Sequence, residues 1–241
     1  MLNPDLDTKA LREAFDLDGR IRIDNFLDTE VIDKIRQYCL EEDPYEVIYF
    51  ADGKNRISSR AEVATMDQSE KQDLNRKIFS AASQGIGFLY DGYQMNRATH
   101  KSNAKLNFLY EVFEYFNSET MLDFIRQVTG KTDILSADAH YTRLTSGQFL
   151  TRHRDVVANR DRRLAYVLGF SQNWHPDWGG LLQFFDEDGT PTDSFAPRFN
   201  CLSMFDISHI HSVTYVTPFA LEPRLSLTGW FRASPKDAPT Q

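Results

Sequence analysis

The sequence predicts an α+β protein whose helices brace one β sheet, and three observations carry that expectation. Up to Gly130 the apolar residues recur mostly at helical spacing. After Gly130 the period changes to short β-prone runs separated by Gly, Pro, Asn and Asp clusters, the pattern of a sandwich or jelly roll. Apolar residues make up 41% of the chain and aromatic residues 13%, enough for a substantial core and too much for global disorder.

Leu6–Phe15 reads as a weak helix, and Gly19–Phe26, with Ile21 and Ile23 alternating with polar residues, as a short strand. Asp28 is a cap candidate for a helix through Leu40, with Val31, Ile32, Ile35 and Cys39 at helical spacing. Tyr45–Phe50 is β-prone, and Gly53–Thr65 reads as loop with some extended structure. Asp67 and Glu70 form a capping-box signature ahead of a helix carrying Leu74, Ile78 and Ala82, which Gly85 and Gly87 stop. Tyr90–Asn103, with Gly92 and many polar side chains, reads as a loop and a candidate lid. Leu106, Leu109, Tyr110, Phe113 and Phe116 mark the next helix. Ser118 caps another, with Leu122, Ile125 and Val128 inward and Gly130 as its stop. Strands are expected at Ile134–Leu144, Gln148–Arg152, Leu164–Phe170, Leu181–Phe185, Cys201–Ile207, His211–Thr217 and Arg224–Phe231. Ser234–Gln241, with Pro235 and Pro239, reads as a frayed tail. The expectation is one domain: residues 1–133 a mainly helical support, 134–232 the β core, 233–241 the tail.

The net charge of −8 argues against non-specific binding of nucleic acid or an anionic membrane by the whole surface. The two cysteines, Cys39 and Cys201, read most simply as reduced thiols. The N-terminus lacks an apolar signal core, and no apolar run is long enough to span a bilayer. A soluble cytoplasmic protein is expected, with neither nucleic acid nor membrane as partner.

The chemistry is concentrated in Thr151-Arg-His-Arg-Asp155. On a strand, His153 and Asp155 project from the same side, because side chains alternate with period two. Taken alone, the pair reads equally well as a surface salt-bridge strand with Arg152 and Arg154. One more histidine would complete a two-His, one-carboxylate face with open positions, the donor set of non-haem Fe(II) oxygen chemistry. His209 and His211 both qualify; His211 is favoured because its surroundings continue into a strand. Farther on, Arg224, Ser226 and Thr228 alternate with Leu225 and Leu227. Arg224 offers a planar fork for a carboxylate and Ser226 a hydroxyl. The alternative is an arginine paired with a protein carboxylate such as Glu222.

In order, Tyr141, His153-Arg-Asp155, Arg163-Leu-Ala-Tyr-Val-Leu168, Asp177-Trp-Gly-Gly-Leu-Leu-Gln-Phe184, His211-Ser-Val213 and Arg224-Leu-Ser-Leu-Thr-Gly-Trp-Phe231 resemble the 2-oxoglutarate- and Fe(II)-dependent oxygenases of the prolyl 4-hydroxylase-like branch. The resemblance covers about residues 137–232. It implies a double-stranded β-helix, that is, a jelly-roll core. It implies His153, Asp155 and His211 as iron ligands and Arg224 as partner of the distal 2-oxoglutarate carboxylate. Tyr141 matches a tyrosine that helps bind the cosubstrate in relatives. Gly169 stands where many prolyl hydroxylases have a further tyrosine, which leaves Ser226, Thr228 or another residue to complete the pocket. The implied reaction hydroxylates a C–H bond with O₂ and 2-oxoglutarate, releasing succinate and CO₂, and admits ascorbate as an accessory cofactor. The implied substrate is a prolyl residue of a protein. The alternatives are a free amino acid or other small molecule, and a non-catalytic metal- or ligand-binding jelly roll.

Three further features carry weaker expectations. Arg152, Arg154, Arg160, Arg162 and Arg163 form a basic rim; Asp177–Gly180 forms a turn; Trp174, His175, Trp178 and Trp230 are candidate pocket aromatics.

Overall fold

The computed structural model describes residues 1–95, 103–158 and 160–236. Six α-helices among them lie in the first half: α1 (Thr8–Phe15), α2 (Thr29–Glu42), α3 (Arg60–Thr65), α4 (Gln68–Ser83), α5 (Ala104–Phe116) and α6 (Glu119–Thr129). The strands are β1 (Arg20–Asp24), β2 (Glu46–Ala51), β3 (Lys54–Ser59), β4 (Phe88–Gln94), β5 (Ser136–Ala137), β6 (His140–Leu144), β7 (Phe149–His153), β8 (Arg162–Gly169), β9 (Leu182–Phe185), β10 (Pro191–Phe195), β11 (Cys201–Asp206), β12 (Ile210–Val213) and β13 (Arg224–Arg232). They form one antiparallel system in the order β1-β11-β8-β13-β6-β4-β7-β12-β9-β10, curled into the expected jelly roll, with β2–β3 attached at β4 and β5 at β13.

Period two on β13 explains how the sheet divides its faces. Leu225, Leu227 and Phe231 join Tyr141, Tyr166, Leu168 and Met204 in the main core, against Ile32, Ile35, Val112, Phe116 and Ile125 from the helices. Each such burial contributes about 1.5–3 kcal/mol. Arg224, Ser226, Thr228 and Trp230 alternate with them and turn to the inside of the roll, where Leu144, Trp174, Val213 and Val216 form a separate cluster. The polar face noticed in the sequence is therefore the inner face.

The helix signals hold. Asp67 accepts from Glu70 N and Glu70 returns the bond, the capping box that opens α4. Ser118 caps α6, and Gly130 ends it at φ 68°.

The departures are in the first half. Lys54–Ser59 is a strand rather than loop. Asp52 and Gly53 both take positive φ, 52° and 72°, which closes a tight hairpin between β2 and β3. Residues 90–94, expected as loop, belong to β4, which joins β6 to β7 and so lies in the barrel wall. Residues 96–102 of the candidate lid and 237–241 of the tail lie outside the described residues. Ile134–Leu144 is split between β5 and β6. Pro191–Phe195 forms the edge strand β10, a position where the proline's missing N–H costs nothing. Four strands from the helical support thus enter the sheet, so support and core are not separate layers. Among the described residues, no helix is long and apolar enough to cross a membrane.

Candidate metal centre and anion pocket

His153 and His211 sit opposite each other on β7 and β12. Asp155 follows β7, and its N–H donates to Ile207 O, which swings the carboxylate back under both rings. The three ligand atoms lie within 4.8 Å of one another. His153 Nε2 is 3.8 Å from Asp155 Oδ1, and His211 Nε2 is 3.4 Å from Asp155 Oδ2. In each ring Nδ1 meets a backbone carbonyl, Thr151 O at 2.8 Å and His209 O at 3.0 Å. Those carbonyls fix the Nδ1–H tautomer and leave both Nε2 lone pairs turned toward the carboxylate. Burial, and His153 beside it, push His211 down to about 4, so it is neutral and ready to ligate at physiological pH. The Asp155 and His211 side chains are 6% and 7% exposed but that of His153 is 37% exposed, so the centre opens on the His153 side. The donor set and tautomers fit a first-row divalent ion.

His209 is elsewhere. Its Nε2 contacts Asp18 O at 2.8 Å, pinning the turn before β12 to the N-terminal segment. Replacing His209 with alanine is therefore expected to leave Fe(II) affinity within a few-fold, whereas His211→Ala removes tight binding. Anaerobic Fe(II) titration of both variants checks this, and the reverse ranking would exchange the two histidines.

The predicted salt-bridge partners of Asp155 are also elsewhere: Arg154 pairs with Glu187 and Arg152 lies over the Phe185 ring. The cation beside Asp155 is Arg162, with Nη1 3.7 Å from Oδ1 and its guanidinium carbon 3.4 Å from the Trp230 ring centroid. Arg162 is 7% exposed, and burial pushes its pKa down to about 10. Among the described residues, Arg162 Nε and Trp230 Nε1 are buried donors without a hydrogen-bond partner. Trp174 and Trp178 pack edge-to-face in the inner cluster, and His175 is exposed beside Asp177.

Arg224 is 4% exposed. Its Nε donates to Gly180 O at 2.7 Å and its Nη1 to Ser226 Oγ at 3.1 Å. Ser226 Oγ in turn meets Thr142 Oγ1 at 2.8 Å. No carboxylate of the described residues reaches Arg224. Glu222, the predicted alternative, lies 3.5 Å from Arg36 instead. Burial alone pushes Arg224 down to about 10, the mark of a cation lacking its anion. The Asp177–Gly180 turn holds this arrangement. Gly180, at φ 61°, presents the carbonyl that Arg224 uses, and a Cβ there would come within 3.0 Å of Arg224 Cδ.

Two residues of the expected pocket need separate treatment. Ser226 lies beside Arg224, as its spacing implies. Tyr141 does not: on β6 it is paired with Leu227, faces the helices and is fully buried in the main core. Its hydroxyl donates to Leu109 O at 2.9 Å. The expected cosubstrate contact from Tyr141 is therefore withdrawn. The inward positions of β6 are His140, Thr142 and Leu144, which flank Tyr141 at period two. A Cβ at Gly169 would lie 2.4 Å from Arg198 O, so no tyrosine fits there either.

His140 Nε2 meets Thr228 Oγ1 at 3.0 Å, and burial drives the imidazole down to about 4. Above pH 6.5 the ring is neutral folded and unfolded, so it contributes no pH dependence. As pH falls from 6.5 toward 4, the unfolded chain takes up a proton that the folded one refuses, and stability drops. The loss reaches about 2 kcal/mol by pH 5. Iron-free protein should thus lose more melting temperature between pH 7 and pH 5 than its His140→Gln variant, and equal losses would refute the assignment.

A two-His, one-carboxylate set is the donor set of non-haem Fe(II) oxygen chemistry, and here it lies in the same roll as a buried arginine that no described carboxylate reaches. The sequence profile of the 2OG-Fe(II) oxygenase superfamily matches residues 139–232. Its members use Fe(II), 2-oxoglutarate and O₂. A similar protein is the prolyl 3,4-dihydroxylase OGFOD1 of Ostreococcus tauri, 30% identical over 131 residues. That match takes in 49% of this chain and 25% of the relative, so the chain spans about a quarter of the relative's length. A prolyl-4-hydroxylase of Pseudomonas putida has the same fold, with TM-score 0.59 and 19% identity over 94% of this chain and 98% of that one. So does a prolyl hydroxylase of Trichoplax adhaerens, solved with a hypoxia inducible factor oxygen degradation domain peptide. There the TM-score is 0.62 and the identity 14%, over 94% of this chain and 89% of that one.

Proposed function

We propose that this protein is a 2-oxoglutarate- and Fe(II)-dependent dioxygenase that hydroxylates a prolyl residue of a protein or peptide. The observation that carries the reading is Arg224: a buried guanidinium without an anion, inside the same roll as the His153, Asp155 and His211 face. Leaving such a charge unpaired costs several kcal/mol, so the pocket suits a carboxylate that arrives with the cosubstrate. When bound, iron and 2-oxoglutarate supply the oxidation, one oxygen atom of O₂ going to succinate as CO₂ leaves and the other to the C–H bond.

The chain's residues do the rest. His153, Asp155 and His211 would hold the metal. Arg224 and Ser226 hold the distal carboxylate, and Thr142 orients the Ser226 hydroxyl. Arg162 Nε and Trp230 Nε1, the two unpaired donors close to Asp155, suit an amide carbonyl of an incoming peptide. The prolyl-hydroxylating relatives support the same substrate class. Cys39 and Cys201 are both free and buried, which supports a reducing, cytoplasmic setting.

The test is succinate formation with Fe(II), 2-oxoglutarate and ascorbate against prolyl peptides, free amino acids and cell extract, with mass analysis of the product. A gain of one oxygen atom on a peptidyl proline supports the reading. Turnover only with a free amino acid moves the substrate class. No succinate, and no charge-transfer band from anaerobic Fe(II) plus 2-oxoglutarate, would reduce the protein to a binding module.

A further inference from the structure

Strands β1 and β10 stand at the two ends of the strand order, and side chains close the seam between them. Arg20 Nη2 lies 3.9 Å from Asp193 Oδ2, and the Arg22 guanidinium lies over the Phe195 ring at 4.7 Å. A narrow cavity leads inward from this seam. Arg22, Arg198, Ser203, Ser226 and Arg224 line it together, whereas His153, Asp155 and His211 do not border it. It measures about 20 Å³, room for about one particle the size of a water molecule or a halide ion. Three arginines and no acidic side chain line it.

The Arg22 end of the cavity has donors and no anion. Its Nη2 donates to Ala196 O at 3.1 Å, and its Nε is buried without a hydrogen-bond partner among the described residues. The carboxylates of the seam are engaged elsewhere: Asp24 pairs with Arg198, and Asp18 and Asp193 with Arg20. The Cys201 thiol beside Arg22 brings no charge, since burial holds it up at about 11. Strand register places Ser203 next to Arg22 on the inner face. Ser203 is 7% exposed, and its hydroxyl makes no hydrogen bond to a described residue. Strands β11 and β8 stand between β1 and β13, a backbone separation of about 14 Å. A carboxylate held at Arg224 therefore leaves Arg22 Nε and Ser203 Oγ unused.

We infer that Arg22 and Ser203 bind a small inorganic anion of the size of chloride, which enters through the seam rather than past the metal. The anion accepts from Arg22 Nε and from the Ser203 hydroxyl, and water in its place would leave the charge unanswered. It also lowers the positive potential of a cavity that two further arginines share, which eases the burial of Arg224 while the cosubstrate is away. When a dicarboxylate arrives at Arg224, two anions share one small cavity and each weakens the other. That last step rests on the 2-oxoglutarate reading of Arg224; the Arg22 site does not.

The test uses metal-free protein melted in sodium chloride and in sodium gluconate at equal ionic strength, gluconate being too large for the cavity. Expected is a saturable rise in melting temperature that chloride gives and gluconate does not, about 3–5 °C at ten times the dissociation constant. Arg22→Gln should abolish the difference between the salts, Arg22→Lys should retain part of it, and Ser203→Ala should weaken the anion several-fold. Each variant is its own control, because the readout is the difference between two salts. Equal rises in both salts, a rise that saturates only at molar chloride, or a full chloride increment in Arg22→Gln overturns the site. The linked effect is read by anaerobic calorimetry of the Fe(II)-loaded protein. Chloride in place of gluconate should lower 2-oxoglutarate affinity several-fold in the parent and not in Arg22→Gln, and an equal loss in both overturns the coupling. If Arg224→Ala keeps its 2-oxoglutarate affinity, the cosubstrate reading falls, while the metal-free melts still decide the Arg22 site.

Discussion

Replacing Asp155 with asparagine is expected to abolish turnover and to weaken Fe(II) binding by two to three orders of magnitude. The change keeps the shape and removes the one negative charge in a cluster of two imidazoles and a guanidinium. The His153 and His211 rings lie tilted to each other at 4.3 Å between centroids, and Arg162 lies 3.7 Å from the carboxylate. Without that charge, a divalent ion would be asked to sit among neutral nitrogens beside an arginine. Breaking a buried ionic contact of this kind costs about 3–5 kcal/mol, which sets the size of the affinity loss. The same change leaves Arg162 without its anion, so some stability is lost as well. Metal-free melting curves with anaerobic Fe(II) titration separate the two effects. Near-parental Fe(II) affinity in a folded Asp155→Asn protein would remove Asp155 from the ligand set.

The His153-x-Asp155 spacing could be read from the chain because strand geometry alone puts both side chains on one face. His211 was harder to choose. His209 has the same chemistry two residues away, and only its contact with Asp18 O, from the far end of the chain, sets it apart. Arg224 and Ser226 were legible as a polar stripe on an apolar strand, but whether that stripe faced water or the interior depended on which neighbours the strand acquired.

Tyr141 shows where such reading stops. The family resemblance implies Tyr141 as a pocket residue, yet a shift of one residue in register turns a side chain to the opposite face. Its neighbours His140 and Thr142 face the site instead. The strand at residues 90–94 is illegible for a different reason. It belongs to a stretch that looked like loop, since Gly92 and its polar neighbours break the pattern, and only the pairing of β4 with β6 brings it into the roll. The β2–β3 hairpin does leave a local sign, the turn pair Asp52-Gly53.

Arg224 carries the second large effect, and here affinity and stability should move in opposite directions. Arg224→Met is expected to weaken 2-oxoglutarate binding by two to three orders of magnitude while Fe(II) binding stays close to parental. The affinity loss follows from removing a desolvated charge contact, about 2–5 kcal/mol. The ligand-free protein should nevertheless melt at the same temperature or higher. In the parent, Arg224 is 4% exposed with only Gly180 O and Ser226 Oγ to offset its burial. Methionine fills similar volume without a charge. It forfeits those two bonds, at about 1–3 kcal/mol for the carbonyl left unpaired, but Ser226 keeps Thr142. Against this stands the several kcal/mol saved by no longer burying an unpaired cation, which is the larger quantity. Adding 2-oxoglutarate should then stabilise the parent, by about 2.7 kcal/mol at a hundred times its dissociation constant, and leave the variant unmoved. Thermal melts of both proteins with Fe(II), with and without the cosubstrate, read all of these at once. A ligand-free variant that melts well below the parent would mean that Arg224 is held for structure. A variant still stabilised by 2-oxoglutarate would mean that the carboxylate is bound elsewhere.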